Sequence, residues 1–250
     1  MKQEYIDIHC HMLPEVDDGA ENMETALSML ALSEKQGARE IILTPHYEHG
    51  CNGYRKGELS ERFSELCERA EAAGIGLKLH LGNEILWFDG AVQAVRDKEA
   101  LTLAGSRYML IEFYPDVSFQ QMLRAVRSVV QEGYIPVIAH YERYETLRRQ
   151  NGDQEIEELL CQGALFQMNF NSLSGKGLLS GICPDRRTAW CRRQVKAGNV
   201  SFFGTDAHNL GARSPEHDRA AAWLKAQIGE AELLELLFEN PQDLIADRTI

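Results

Sequence analysis

The segment Asp7-Ile8-His9-Cys10-His11 continues the first apolar run of the chain, Tyr5–Ile8. Its β-branched and aromatic side chains predict a short strand. Side chains two positions apart on a strand point to the same face, so His9 and His11 should project together and Cys10 to the other side. Two imidazoles on one face can share a metal ion, although a His-x-His pair alone is a weak signal.

Six further apolar runs predict the remaining strands: Glu40–Thr44, Leu77–Leu81, Tyr108–Phe113, Ile135–Ala139, Leu165–Phe170 and Val200–Gly204. Amphipathic segments between them predict helices at Glu24–Gln36, Gly57–Ala73, Phe119–Gln131, Gln154–Cys161 and Arg186–Lys196. About seven strands that alternate with helices predict an α/β fold, a TIM-like (β/α) barrel of parallel strands, with an open doubly wound sheet as the alternative. No low-complexity linker divides the chain, so residues 1–250 are predicted to form a single domain.

Imidazole or carboxylate side chains follow six of the seven predicted strands. Besides His9 and His11, they are His46, Glu84, Glu112, His140, Asp206 and His208. The carboxyl ends of parallel strands meet at one mouth of a barrel, so these side chains should converge there. The convergence predicts a metal centre.

The composition of this group indicates which ions it suits. Imidazoles and carboxylates without a cysteine are typical of sites for divalent ions such as Mn, Fe or Zn. There are more ligands than one ion can use, which predicts two or three ions. The loop Val16-Asp17-Asp18-Gly19 would by itself read as a helix-capping turn. Beside the histidines it predicts one further ligand, and the residues alone leave open whether this is Asp17 or Asp18.

Composition limits the other functions. The chain of 250 residues is 44% hydrophobic, enough for one large core, and its net charge of −12 argues against general nucleic-acid binding. No apolar run has the length of a signal peptide or membrane span, so no membrane insertion is expected. Six scattered cysteines without a Cys-x-x-Cys pair indicate reduced thiols, and hence a cytoplasmic protein.

Other hydrolytic mechanisms lack their residues. No cysteine is followed six positions later by the arginine that a cysteine-dependent tyrosine phosphatase needs. No Asp-x-Asp pair for an aspartyl-phosphate mechanism and no Gly-x-Ser-x-Gly elbow occur. These mechanisms are therefore excluded. A hydroxide held between two of the predicted cations can serve as the nucleophile instead, because metal binding lowers the pKa of water.

The motifs D-I-H-C-H, D-D-G, T-P-H, G-N-E, I-E-F, I-A-H-Y-E-R-Y and T-D-A-H-N occur in this order between residue 6 and about residue 213. Together they resemble the polymerase-and-histidinol-phosphatase (PHP) superfamily. Within it, they are similar to the bacterial manganese-dependent protein-tyrosine phosphatases linked to capsular and exopolysaccharide synthesis. That resemblance implies a distorted barrel with a trinuclear centre in which manganese is the expected ion.

The resemblance also implies roles for single residues. The first metal would take His9, His11, Glu84 and Asp206; the second Glu84, Glu112 and His140; and the third Asp18, His46 and His208. Asp18 rather than Asp17 matches the family motif. Arg143 and Arg213 resemble positions that bind the substrate phosphate, for which a forked guanidinium is well suited.

The resemblance implies a phosphotyrosine-bearing protein as substrate, namely the C-terminal tail of a bacterial tyrosine kinase that controls polysaccharide export. The alternative is a small-molecule phosphatase, such as a histidinol-phosphate phosphatase of the same superfamily. Nuclease activity fits the acidic charge poorly. The sequence leaves the oligomeric state open, because no interface motif is readable.

Overall fold

The computed structural model describes residues 3–51, 57–175 and 184–250. Its strands are β1 (Tyr5–Cys10), β2 (Ala38–Leu43), β3 (His46–Tyr47), β4 (Lys78–Leu81), β5 (Glu84–Leu86), β6 (Tyr108–Glu112), β7 (Ile135–Ile138), β8 (Leu165–Asn169) and β9 (Phe202–Gly204). Its α-helices are α1 (Met23–Gln36), α2 (Glu58–Ala72), α3 (Ala91–Arg96), α4 (Phe119–Gln131), α5 (Glu145–Arg148), α6 (Gly152–Cys161), α7 (Arg186–Lys196), α8 (Asp218–Gln227), α9 (Glu230–Leu234) and α10 (Asn240–Ile245).

All the paired strands are parallel. One ladder runs β1-β2-β4 and the other runs β3-β5-β6-β7-β8-β9. The two ladders belong to one sheet. Strand β3 continues β2 and strand β5 continues β4, with only two residues between the members of each pair. The backbone amide of Gly82 donates to Leu43 O at 2.8 Å, and that of Glu84 donates to Pro45 O at 3.2 Å, so pairing continues across both interruptions. Within the described residues the nine strands therefore occupy seven strand positions.

The barrel closes between β9 and β1. The backbone amide of Asp206 donates to His9 O at 2.8 Å, and that of His11 donates to Ala207 O at 2.9 Å. Gly204 allows this close approach, because a Cβ atom there would lie only 2.7 Å from the Cβ atom of His9. The expectation of a distorted barrel of about seven parallel strands is confirmed.

Two buried apolar clusters hold the barrel together. The larger one packs the strands against the surrounding helices. The smaller one joins side chains from several strands, among them Ile42, Leu110 and Phe202, to Leu244 of α10. The chain end also binds the start of β6, where the hydroxyl of Tyr108 donates to Arg248 O at 2.6 Å. The C-terminal helices therefore lie at the amino ends of the strands, which leaves the opposite end of the barrel free for a site.

The predicted elements and the observed ones differ in three places. The sequence does not predict strands β3 and β5. Each continues a longer strand after an interruption, Thr44-Pro45 between β2 and β3 and Gly82-Asn83 between β4 and β5, and is too short to show its own apolar pattern. Helices α3 and α5 are too short to show a periodic pattern, and the segment from α8 to α10 was not assigned. Among the described residues, no helix is both long and apolar enough to cross a lipid bilayer.

Candidate metal centre

The nine residues that the sequence proposes as metal ligands lie together at the carboxyl ends of the strands. They form four overlapping groups whose ligand atoms lie within 4.8 Å of one another: His11 with Asp18, His46 and His208; His9 with His11 and Asp206; His9 with Glu84 and His140; and His46 with Glu84 and Glu112. We call these nine residues the ligand cluster. The groups differ from the predicted sets mainly at His9, His11 and His46, each of which was predicted in one set and belongs to two of the groups.

Four side chains form the centre of the cluster. The Nε2 atoms of His9 and His11 are 3.3 Å apart. Glu84 Oε2 lies 3.3 Å from each of these nitrogens. Asp206 Oδ1 lies 3.7 Å from His9 Nε2 and 3.5 Å from His11 Nε2. All four residues are buried, so four ligand atoms converge on one small volume out of contact with solvent.

Glu84 also connects the two sides of the cluster. Its Oε1 atom lies 2.7 Å from His140 Nε2, which in turn lies 3.3 Å from Glu112 Oε1. Its Oε2 atom lies 3.1 Å from His46 Nδ1. Each oxygen of this one carboxylate therefore faces a different group of imidazoles, the arrangement expected of a bridging ligand.

The two adjacent aspartates have different surroundings. Asp17 Oδ2 lies 2.8 Å from His11 Nδ1 and accepts the backbone amide of His46 at 2.9 Å. Asp18 Oδ1 lies 3.3 Å from His208 Nε2 and 3.5 Å from His46 Nε2, and its side chain is 62% exposed. Asp17 therefore lies behind an imidazole, whereas Asp18 faces two imidazoles from the open side of the cluster.

The chemistry of the donor set fits divalent cations. His11 directs Nδ1 at Asp17, and His208 directs Nδ1 at the carbonyl oxygen of Asp206 at 3.0 Å, so each ring presents Nε2 to the cluster. His208 Nε2 and Glu84 Oε2 are buried and have no hydrogen-bond partner among the described residues. Two imidazole nitrogens 3.3 Å apart need a proton or a cation between them. Convergent buried acceptors of this kind are the usual environment of a metal ion.

The pKa shifts show that the carboxylates of the cluster favour a positive charge on His11, whereas His208 is held in its neutral form. Burial by itself would lower the pKa of His11, but its contacts with Asp17 and Glu84 raise it to about 10. Burial would raise the pKa of Glu84, but the neighbouring His9 and His140 hold it well below its usual range. Burial and the neighbouring His11 lower the pKa of His208 to about 3. Cations bound here would take the place of protons, as metal binding generally does.

Two positions of the cluster have unusual backbone. His140 has φ of 28° and Asp206 has φ of 51°, in the left-handed region that residues other than glycine rarely occupy. Backbone hydrogen bonds hold both, since the amide of His140 donates to Gln167 Oε1 and that of Asp206 to His9 O. Strained backbone of this kind concentrates at functional sites.

The predicted phosphate-binding arginines lie beside Asp206. Arg143 forms an ion pair with Asp206 Oδ2, and the Nη2 atom of Arg213 lies 2.8 Å from Asp206 Oδ1. Both arginines line an open cleft of about 610 Å³ that reaches the buried Asp206. Two guanidinium groups therefore border the cluster on one side, where an anionic group can approach.

Sequence reasoning missed a set of residues behind the cluster. Gln167 and Asn169 of β8 contact its members, and Asp7 accepts the backbone amides of His9 at 3.2 Å and Thr205 at 3.0 Å. The available signal was the pattern Gln167-x-Asn169, two polar residues on one face of an otherwise apolar strand. That strand is the one of the seven predicted strands not followed by an imidazole or carboxylate.

Fold and site together define an α/β barrel with an imidazole–carboxylate cluster at its carboxyl end. The family described as capsular polysaccharide synthesis, CpsB/CapC, matches residues 5–246, and the chain belongs to this family.

Individual relatives and structures agree with this assignment. The tyrosine-protein phosphatase CpsB of Streptococcus pneumoniae is 32% identical over 245 residues, covering 98% of this chain and 100% of that protein. The tyrosine-protein phosphatase YwqE of Bacillus subtilis (strain 168) is also 32% identical over 245 residues, with 98% and 93% coverage.

A crystal structure from work on YwqE and CpsB, described there as unique metal-dependent tyrosine phosphatases, superimposes with a TM-score of 0.86 at 31% identity, covering 98% of this chain and 96% of that one. A phosphotriesterase homology protein from Escherichia coli superimposes with a TM-score of 0.58 at 12% identity and covers 98% of this chain and 99% of that one. This second similarity shows the barrel fold alone.

Proposed function

We propose that this protein is a metal-dependent tyrosine-protein phosphatase. The observation that carries the proposal is the convergence of His9 Nε2, His11 Nε2 and Glu84 Oε2 within 3.3 Å of one another in a buried volume. The similarity over nearly the whole chain to proteins named tyrosine-protein phosphatases supports the substrate class. The family description supports a role in capsular polysaccharide synthesis.

We propose that the nine residues of the ligand cluster hold two or three divalent ions, with manganese as the natural ion and iron or zinc as alternatives. Divalent cations at such a site lower the pKa of bound water and neutralise charge on a phosphoryl group. Support comes from the four overlapping ligand groups and from the absence of thiolate among them. Glu84 would join two ions, because its two oxygens face different imidazoles.

Each remaining element of the site has a defined task in this proposal. Arg143 and Arg213 bind the phosphoryl oxygens from the open cleft and stabilise their charge in the transition state. Asp17 accepts the Nδ1 proton of His11 and thereby keeps Nε2 of that ring directed into the cluster. Burial of His9, His11, Glu84 and Asp206 excludes bulk water from the centre of the cluster, which strengthens the electrostatic interactions there.

The proposed natural substrate is the phosphorylated C-terminal tail of a bacterial tyrosine kinase, on the basis of the family's link to capsule synthesis. The proposed location is the cytoplasm, where thiols such as the five free cysteines of the described residues stay reduced. The sixth cysteine, Cys183, lies outside the described residues.

One experiment tests substrate class and ion together. The purified protein is stripped of metal and assayed on a phosphotyrosine peptide and on histidinol phosphate, while Mn, Fe, Zn and Mg are restored in turn. The expected result is hydrolysis of the phosphotyrosine peptide with at least one restored ion, manganese giving the highest rate. Faster turnover of histidinol phosphate would instead assign the protein to small-molecule phosphatases, and full activity after complete stripping would overturn the metal-dependent function.

A further inference from the structure

A second cleft opens beside the ligand cluster without containing any of its members. Its volume is about 710 Å³, and its walls include Trp87, Phe88, Phe113, Tyr114, Val117 and Arg124. We call it the aromatic cleft. Among the described residues it contains no group of imidazoles or carboxylates that could hold a metal ion, so its chemistry is that of a binding surface.

The aromatic cleft adjoins a cleft that opens on the ligand cluster. A smaller cleft of about 380 Å³ contains Asp18, His46 and Glu112, and it shares Phe113 and Tyr114 with the aromatic cleft. These two aromatic residues therefore form the wall between the two clefts. A polypeptide whose phosphorylated side chain reaches the cluster needs to cross only this wall to enter the aromatic cleft.

Two hydrogen bonds fix residues on either side of the wall, one from the wall residue Phe113 to Tyr144 and one from Trp87 to the cluster residue Glu112. The amide of Phe113 donates to the hydroxyl of Tyr144 at 3.0 Å, and the amide of Trp87 donates to Glu112 O at 2.8 Å. Phe113 directly follows the cluster residue Glu112 in the chain. The position of the aromatic cleft is therefore fixed relative to the cluster by the same strands that carry the ligands.

The chemistry of the cleft suits an aromatic side chain. Tyr114 is 62% exposed, and Trp87 and Phe88 are half-buried, so their rings present apolar surface to solvent. Arg124 is exposed on α4, and its guanidinium forms no hydrogen bond or ion pair with the described residues. Aromatic rings attract a further ring by edge and offset contacts, and an unpaired guanidinium attracts the face of a ring.

We propose that the aromatic cleft binds an aromatic side chain of the substrate polypeptide close to the phosphotyrosine and so sets the sequence preference of the enzyme. Only Phe113 and Tyr114 separate the two clefts, and consecutive residues of an extended chain are about 3.3–3.6 Å apart, so the bound side chain is expected near the phosphotyrosine in sequence. This inference rests on the proposed tyrosine-phosphatase function, since it assigns the neighbouring part of the same substrate.

The test is a panel of peptides that carry one phosphotyrosine and Phe, Leu or Ala at each of the three positions on either side. The quantity compared is the ratio of kcat/KM for the Phe peptide to kcat/KM for the Ala peptide within each protein variant, because effects on catalysis cancel in that ratio. The wild type should prefer Phe by about tenfold at one position, with Leu between the two. Trp87→Ala should abolish this preference, and Arg124→Ala should reduce it.

Arg127→Ala is the matched control. Arg127 is another exposed arginine of α4, but its Nε atom donates to Gln162 Oε1 at 3.0 Å, and it does not line the cleft. This variant should keep the preference of the wild type.

Equal kcat/KM across the panel for the wild type would overturn the aromatic subsite, as would an unchanged preference in Trp87→Ala. Failure of the metal-loaded wild type on every phosphotyrosine peptide, with turnover of small phosphate esters, would overturn the proposed function and the subsite together.

A different observation carries a second inference. The amide oxygen Oε1 of Gln167 accepts the backbone N–H of His140 at 2.7 Å and lies 3.0 Å from His9 Nδ1. The backbone group can only donate, so Oε1 is the acceptor in both contacts, and His9 must carry a proton on Nδ1. The Nε2 atom of His9 is thereby left to face the cluster.

The chain of hydrogen bonds continues to a third member of the cluster. Gln167 Nε2 donates to Asn169 Oδ1 at 2.9 Å, and Asn169 Nδ2 donates to Asp206 Oδ2 at 2.8 Å. Gln167 and Asn169 are both buried on β8. Two amides thus connect residues that lie on β1 and directly after β7 and β9.

We infer that Gln167 and Asn169 are positioning residues, which set the ring orientation of His9 and the carboxylate orientation of Asp206 for metal binding. The readout is metal affinity, measured by titrating Mn into the stripped protein in a calorimeter. Gln167→Met should weaken binding by about 10–100-fold, the usual effect of losing such a partner. Gln167→Glu should restore part of it, because a carboxylate also accepts from His9 and His140 although it cannot donate to Asn169.

Asn169→Ala provides an independent variant, since Asn169 also lines the open arginine cleft, where truncation is less disruptive to packing. It should weaken binding as well. Wild-type affinity in both Gln167→Met and Asn169→Ala would overturn this role, and so would a Gln167→Glu variant no better than Gln167→Met.

Discussion

Asp17 Oδ2 lies 2.8 Å from His11 Nδ1, on the side of the ring that faces away from the ligand cluster. Burial would raise the pKa of Asp17, but the hydrogen bond with His11 outweighs it and lowers the pKa to about 2. The neighbouring Asp18 instead faces the imidazoles of His46 and His208. Two adjacent carboxylates therefore have separate tasks, one behind a ligand and one as a proposed ligand.

This division predicts different effects for two similar substitutions. Asp18→Asn should reduce the number of bound ions by about one, because it removes a carboxylate from the group with His46 and His208. Asp17→Asn should keep the number of ions but weaken their binding by about 10–100-fold, because an uncharged amide oxygen is a weaker acceptor for the Nδ1 proton of His11 than a carboxylate. Elemental analysis and calorimetric titration measure these two quantities. Loss of an ion in Asp17→Asn with full occupancy in Asp18→Asn would reverse the assignment.

The arginine cleft predicts a selective loss of activity. Arg143→Lys and Arg213→Lys should each lower kcat/KM for a phosphotyrosine peptide by about 10–1000-fold, because an ammonium group cannot bind two phosphoryl oxygens in the fork geometry of guanidinium. Steady-state kinetics measure this effect. Metal content by elemental analysis should stay that of the wild type, since neither arginine donates a ligand atom.

Arg127→Lys is the control for these two variants, as an arginine on the outer face of α4. Its kinetics should match those of the wild type. A change of less than about threefold in both cleft variants would contradict the proposed phosphate contacts.

Closure of the barrel predicts a stability effect at Gly204. In Gly204→Ala the new Cβ atom would lie 2.7 Å from His9 Cβ, so β9 and β1 would have to move apart. Overpacking of this kind costs about 1–3 kcal/mol of the free energy of unfolding. Chemical denaturation of the metal-free protein measures it. Gly229→Ala is the matched control, because a Cβ atom there would meet nothing within 4 Å and its φ of −68° is ordinary. Equal stability of the two variants would show that β9 does not need its glycine.

The barrel and the ligand cluster could be predicted from sequence because both depend on local patterns. A strand can be recognised from its apolar run. In a parallel barrel, the residue after that run lies at the carboxyl end of the strand, at the mouth of the barrel. His46, Glu84 and His140 could therefore be assigned to one site although they are far apart in the chain. The short strands β3 and β5 could not be predicted, because Pro45 and Gly82 interrupt the apolar pattern without ending the strand.

The residues behind the cluster could not be assigned in the same way. Asp17 reads as a capping residue, and Gln167 has no distinctive pattern beyond its spacing from Asn169. The task of Gln167 depends on a contact across the barrel with His9, 158 residues away in the chain. Asp17 contacts His11 only 6 residues away, but the loop conformation decides which of the two adjacent aspartates makes this contact. The contacts of Gln167 can be recognised only once the position of β8 beside the cluster is known.

The proposed catalysis depends on cations held between side chains from separate strands. The most direct measurement is an anomalous difference map at the manganese absorption edge from crystals grown with manganese. It should show a peak about 2.0–2.2 Å from the Nε2 atoms of both His9 and His11, with a second peak beside Glu84 and His140. Crystals of active protein that show no anomalous peak among the nine residues of the cluster would contradict the account.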